Sequence, residues 1–88
     1  MEFRIMNTRN GEWLKEEYFD ILNMNGFEIE NKVFVNQCGN KRLYTFIKLD
    51  TMEQFWRIKE LCKHNVSTHN DYVDGQFKII NINDFLSD

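Results

Sequence analysis

Cys38, Cys62, His64 and His69 are the side chains of this 88-residue chain that could ligate zinc. Structural zinc sites draw their ligands from closely spaced pairs, and the chain has neither a C-x-x-C nor an H-x-x-x-H pair. Cys62 falls on the apolar stripe of a predicted helix, where a thiol acts as a small hydrophobe, and Cys38 beside Gly39 reads as an exposed loop thiol. No metal and no cofactor are therefore expected. His69, Asp71 and Asp74 gather polar groups that could move protons, but they run into Asp74-Gly75, whose composition is that of a turn. Catalysis needs a base held beside a nucleophile in a concave pocket, and so few candidates favour a non-enzymatic protein.

Charge is the stronger signal. Residues 11–31 carry Glu12, Glu16, Glu17, Asp20, Glu28 and Glu30 against Lys15, a net −5 in a chain of net −3. Residues 32–65 carry Lys32, Lys41, Arg42, Lys48, Arg57, Lys59 and Lys63 against three acids, a net +4. An acidic helix face either meets solvent or steers a basic partner. Trp13 and Trp56 fall off the apolar stripes of the two predicted helices, where an indole either covers the core edge or anchors a partner.

The elements that must position these groups follow from periodicity. Glu2–Met6 alternates as a short strand, and residues 12–25 place Leu14, Tyr18, Ile21 and Leu22 at helical spacing, with Asn10 as expected N-cap and Gly26 at the left-handed C-terminal position. Residues 27–35 read as one bent strand or as a hairpin broken at Asn31-Lys32. Asn36–Asn40 is turn-like. From Arg42 to Leu49 the alternation is clearest: Leu43, Thr45, Ile47 and Leu49 face one way, Tyr44, Phe46 and Lys48 the other. Asp50 or Thr51 should cap a second helix with Glu53 or Gln54 three residues on; its stripe is Phe55, Ile58 and Cys62, broadened by Met52 and Leu61, and Glu53 and Arg57 are spaced to pair. Gln76–Ile82 is the last predicted strand, to which residues 67–73 could pair. The order strand, helix, strand, strand, helix, strand predicts a single α+β domain over residues 1–88, of the ferredoxin-like split βαβ type, with an antiparallel sheet and two helices on one face.

Composition bounds the setting. At 42% hydrophobic and 28% charged the chain is globular in balance, and thirteen aromatic residues supply large side chains for a small core. No apolar run nears the roughly 18 residues that span a bilayer, and no secretory leader is evident, so a cytoplasmic protein with reduced thiols and an unmodified Asn65-Val66-Ser67 is expected. The absence of Pro and Ala beside eleven Asn, eight Ile and seven Lys follows AT-rich codons, as in a low-GC bacterium or its phage.

The segment Arg42-Leu43-Tyr44-Thr45-Phe46-Ile47-Lys48-Leu49 resembles strand three of RNA recognition motifs in its order of base, aromatic, aromatic and aliphatic. Leu43 and Thr45 depart from that family's small residues, and Leu49 from its aromatic. The resemblance implies RNA stacked on Tyr44 and Phe46, with Arg42 and Lys48 on phosphates. The reading preferred from the charge pattern is a protein-binding module, a small phage or mobile-element inhibitor of a host nucleic-acid-binding defence enzyme in the anti-CRISPR manner. Glu12, Glu16, Glu17 and Asp20 would meet a basic surface while Trp13 fills an apolar notch. A monomer or a homodimer joined by strand edges is compatible with either.

Overall fold

A computed structural model describes residues 2–63, 65–67 and 77–82. The element order is β1 (Glu2–Thr8), α1 (Glu16–Met24), β2 (Ile29–Val35), β3 (Lys41–Leu49), α2 (Met52–Leu61), β4 (Val66–Ser67) and β5 (Phe77–Asn81). The fold class is α+β. Strands lie in the order β2-β3-β1-β5-β4, all neighbours antiparallel except the short β4, which runs parallel to β5. Val66–Ser67 pairs with the last strand, so the pairing expected for residues 67–73 is seen at Ser67 and begins one residue earlier, at Val66, while residues 68–73 and Asp74-Gly75 lie outside the described residues.

Period-two alternation fixes which side chains meet the helices. On β1, Met6 stands opposite Thr45 on one side and Ile79 on the other, whereas Ile5 stands opposite Phe46 and Ile80. Met6, Ile47, Leu49, Phe77 and Ile79 join Leu22 of α1 and Ile58 of α2 in one buried cluster. Both Ile5 and Met6 are fully buried, consistent with the central place of β1. Full burial of such an aliphatic side chain contributes roughly 1.5–3 kcal/mol.

Helix α1 begins at Glu16, four residues later than the spacing of Leu14 with Tyr18 predicts. The cause is competition for backbone donors. Thr8 Oγ1 accepts the N–H of Glu12 at 3.0 Å and donates to its carbonyl at 3.0 Å, and the buried Thr45 Oγ1 accepts the N–H of Leu14 at 2.9 Å. Residues 12–14 are thereby tied to the sheet. Lys15, not Asn10, takes the N-cap position and makes no side-chain cap. The other end follows expectation: after Asn25, Gly26 adopts φ +86°, its N–H reaching the Asn23 carbonyl and that of Phe27 the Leu22 carbonyl. Phe27 and Leu22 are both in the core, completing a Schellman stop.

Between Ile29 and Val35 the chain is one strand with no turn at Asn31-Lys32. Asn31 lies opposite Thr45 and accepts its hydroxyl at 2.6 Å, while the Lys32 carbonyl accepts Trp13 Nε1 at 3.0 Å. The turn falls at Asn36–Asn40, where Asn36 Oδ1 accepts the N–H groups of Cys38 and Asn40 and Gly39 takes φ +83°. Thr51 caps α2 in a capping box with Gln54, whose side chain also accepts the Asp50 N–H. Ile58 and Cys62 are buried as predicted, but Met52 is exposed and does not broaden the stripe. Arg57 donates to Asn25 Oδ1 at 3.4 Å and makes no ion pair with Glu53.

Candidate functional site

Glu16, Glu17 and Asp20 are exposed along α1, and Glu12 is exposed in the segment before it. Glu12 and Trp13 therefore do not belong to the helix, contrary to the sequence expectation, though they lead directly into it. Glu16 and Asp20 share a helical face one turn apart, where like charges are mildly unfavourable, about 0.2–0.5 kcal/mol. Part of the reason for acids here is local: Glu16 and Glu17 occupy the first turn, where negative charge meets the positive end of the helix dipole, at a start that has no side-chain cap. Asp20 lies beyond that turn. Among the described residues no Lys or Arg comes within ion-pairing distance of Glu12, Glu16, Glu17 or Asp20. Among the described residues the paired acids lie on or beside β2, Glu30 with Lys32 at 3.2 Å and Glu28 with Lys48 at 3.4 Å.

Trp13 is 40% exposed. Its indole N–H is not left to water but donates to the Lys32 carbonyl, which fixes the ring beside β2 and leaves the rest of it at the surface. Trp56 is exposed on α2, with Phe55 edge-on at 5.7 Å and the Lys59 ammonium 5.3 Å from its ring centre. No sequence signal marks the Trp13–Lys32 bond, which joins residues nineteen positions apart.

On the sheet face away from the helices, Phe34, Arg42, Tyr44, Asn7 and Ile80 line an open groove of about 520 Å³. Tyr44 is half-buried, with the Phe34 ring 5.6 Å away. Phe46 is only 5% exposed: Phe34 lies 5.6 Å from it and the Lys32 ammonium 5.2 Å from its ring centre. The stacking platform that the RNA-recognition resemblance implies at Phe46 is thus already occupied by the protein's own side chains. Lys48, the phosphate partner implied beside it, is largely covered and paired with Glu28. No local signal marks this covering, because it depends on the β2–β3 register that sets Lys32 opposite Tyr44 and Phe34 opposite Arg42.

Cys38 is exposed in the β2–β3 turn, while Cys62 is buried beneath α2, where desolvation pushes its thiol up to about 11. His64 and His69 lie outside the described residues, as does Asp71. Among the described residues no three His, Cys, Asp or Glu side chains gather as a metal site would require, and no helix is long and apolar enough to cross a membrane. The chain matches no protein-family model, no curated protein and no solved structure. Its function must be argued from its own geometry.

Proposed function

We propose that this chain is a non-enzymatic, cytoplasmic protein-binding module whose acidic surface, Glu16, Glu17 and Asp20 on α1 with Glu12 and Trp13 before it, docks against a basic protein surface. The observation that carries the reading is the unspent charge. Four exposed carboxylates with no cation in ion-pairing distance among the described residues hold a field that a basic partner would complete, speeding encounter and fixing orientation. Trp13 supports the same face, because an indole held by its N–H loses little freedom when a partner covers it. We read the scaffold as ferredoxin-like, since β5-β1-β3-β2 with two intervening helices follows that split βαβ order. Proteins that bind nucleic acid present basic grooves of the required sign. A small phage or mobile-element inhibitor of such an enzyme, anti-CRISPR-like in manner, fits the short length and the AT-rich codon bias.

The test compares capture from host lysate by the native chain and by Glu16→Lys/Glu17→Lys, with folding of both checked by circular dichroism. A protein with a basic surface that binds the native chain, falls away as salt is raised and is lost on reversal supports the reading. Equal capture by both chains refutes it.

A second reading, single-stranded RNA on the outer sheet face, keeps Arg42 and Tyr44 beside the groove in its favour. It requires RNA affinity with a steep salt slope that Tyr44→Ala abolishes while the fold is kept.

A further inference from the structure

Strand β2 ends the sheet, and among the described residues nothing pairs along its outer side. The direction of its backbone groups follows from two bonds that flank it in the same ladder. The Glu28 carbonyl accepts the Lys48 N–H at 3.0 Å, and the Asn36 N–H donates to the Asn40 carbonyl at 3.0 Å. Even-numbered residues of this strand therefore turn their N–H and C=O groups inward to β3, and Ile29, Asn31, Val33 and Val35 turn theirs outward. The Trp13 indole does not block them, because it bonds the carbonyl of Lys32. The same strand exposes apolar surface, with Val33 49% and Val35 62% exposed. An open apolar edge of this kind is a template for another strand.

We propose that β2 is the pairing edge for a second copy of this chain, joined antiparallel about a two-fold axis through Asn31. Hydrogen-bond direction restricts self-pairing to registers that set odd residues opposite odd residues. Charge then selects among them. With the axis at Lys32, two lysines face each other; with the axis at Glu30, two glutamates do. With the axis at Val33, Lys32 meets Phe34. The axis at Asn31 sets Glu30 opposite Lys32 of the second copy and Lys32 opposite its Glu30, so both cross-strand pairs are attractive. It also sets Ile29 opposite Val33 on the helix-facing side.

Asn31 suits the axis position. Its Oδ1 accepts Thr45, and its amide NH₂ has no bond to a described residue, so each copy can donate to the other across the axis. A lone lysine on an edge strand repels a second copy, but Glu30, two residues away and already 3.2 Å from Lys32, turns the repulsion into complementarity. Trp13 of the acidic surface is bonded to this strand, but the pairing rests on the backbone and side chains of β2 and does not depend on the function proposed for the acids of α1.

Sedimentation equilibrium of the full chain tests it. The native chain should run at twice its chain mass at concentrations on the order of 100 μM, a weak edge-pairing affinity. Val33→Pro removes an outward N–H without touching the β3 ladder and should give a folded monomer. Glu30→Lys and Lys32→Glu should each weaken the dimer about tenfold, and the two together should restore it to within about threefold of native. A native monomer, a dimer that survives Val33→Pro, or a charge swap that fails to restore association overturns the proposal. Should Val33→Pro not fold, the swap decides alone, since both residues are exposed on the strand surface.

Discussion

Thr45 and Asn31 face each other across the β2–β3 ladder, and the threonine hydroxyl donates to the asparagine Oδ1 at 2.6 Å while accepting the Leu14 N–H at 2.9 Å. One fully buried hydroxyl thus joins the edge strand, the neighbouring strand and the segment that enters α1. Thr45→Val keeps the shape and removes both bonds, leaving the Leu14 N–H buried without a partner. The expected loss is about 1–3 kcal/mol, read from the urea midpoint at unchanged slope. A loss below about 0.5 kcal/mol would mean that water replaces the hydroxyl at no cost.

Gly26 sits at φ +86° with open space where a Cβ would stand, so substitution there meets backbone strain and no clash. Gly26→Ala should destabilise the chain by about 1–2 kcal/mol, and Gly26→Asn by less, because asparagine tolerates the left-handed region. Thermal unfolding of the two variants side by side gives the order. Equal midpoints for Ala and Asn would contradict it.

At the start of α2 the Thr51 hydroxyl accepts the Gln54 N–H, and the Gln54 side chain accepts the N–H groups of Thr51 and Asp50. Thr51→Ala should cost about 1 kcal/mol. Because the two residues cap one another, the double variant Thr51→Ala/Gln54→Ala should lose less than the sum of the single losses, and strict additivity in a double-mutant cycle would show that the box does not act as a unit.

Trp13 tests the surface reading from within the fold. Trp13→Phe keeps an aromatic ring but cannot donate to the Lys32 carbonyl, so stability should fall by about 0.5–1.5 kcal/mol. An unchanged urea midpoint would mean that this bond exchanges with water without loss.

What could be read from the sequence was whatever is decided locally. The alternation of Leu43, Thr45, Ile47 and Leu49 against Tyr44 and Phe46 specifies a strand and its two faces, and both the Thr51–Gln54 cap and Gly26 lie within a few residues of the ends they define. The start of α1 was not legible, because the donors of Glu12 and Leu14 are claimed by Thr8 and Thr45, and the second lies thirty-one positions away. The same long-range hydroxyl helps hold Asn31 in the ladder where local composition suggests a turn. At the surface, the exposure of Glu16, Glu17 and Asp20 followed from helical periodicity. The covering of Phe46 did not, since it needs the register that brings Phe34 and Lys32 over it.

Cys62 converts burial into a dependence on pH. Its thiol is raised from 9.0 to about 11 because the folded core disfavours the thiolate. The unfolded chain therefore ionises first. Stability from this group is fully present below pH 9 and is lost as pH rises from 9 to about 11, at about 1.4 kcal/mol per pH unit in the middle of that window. The clean measurement is a difference: denaturant unfolding of the native chain and of Cys62→Ala at pH 8 and pH 10.5. The gap between the two chains should narrow by roughly 2 kcal/mol at the higher pH. Thiol labelling gives an independent reading at pH 8, where the exposed Cys38 should react at once and Cys62 only at the rate of opening. Rapid labelling of both cysteines, or a gap that does not change with pH, would place Cys62 in contact with water and not in the core.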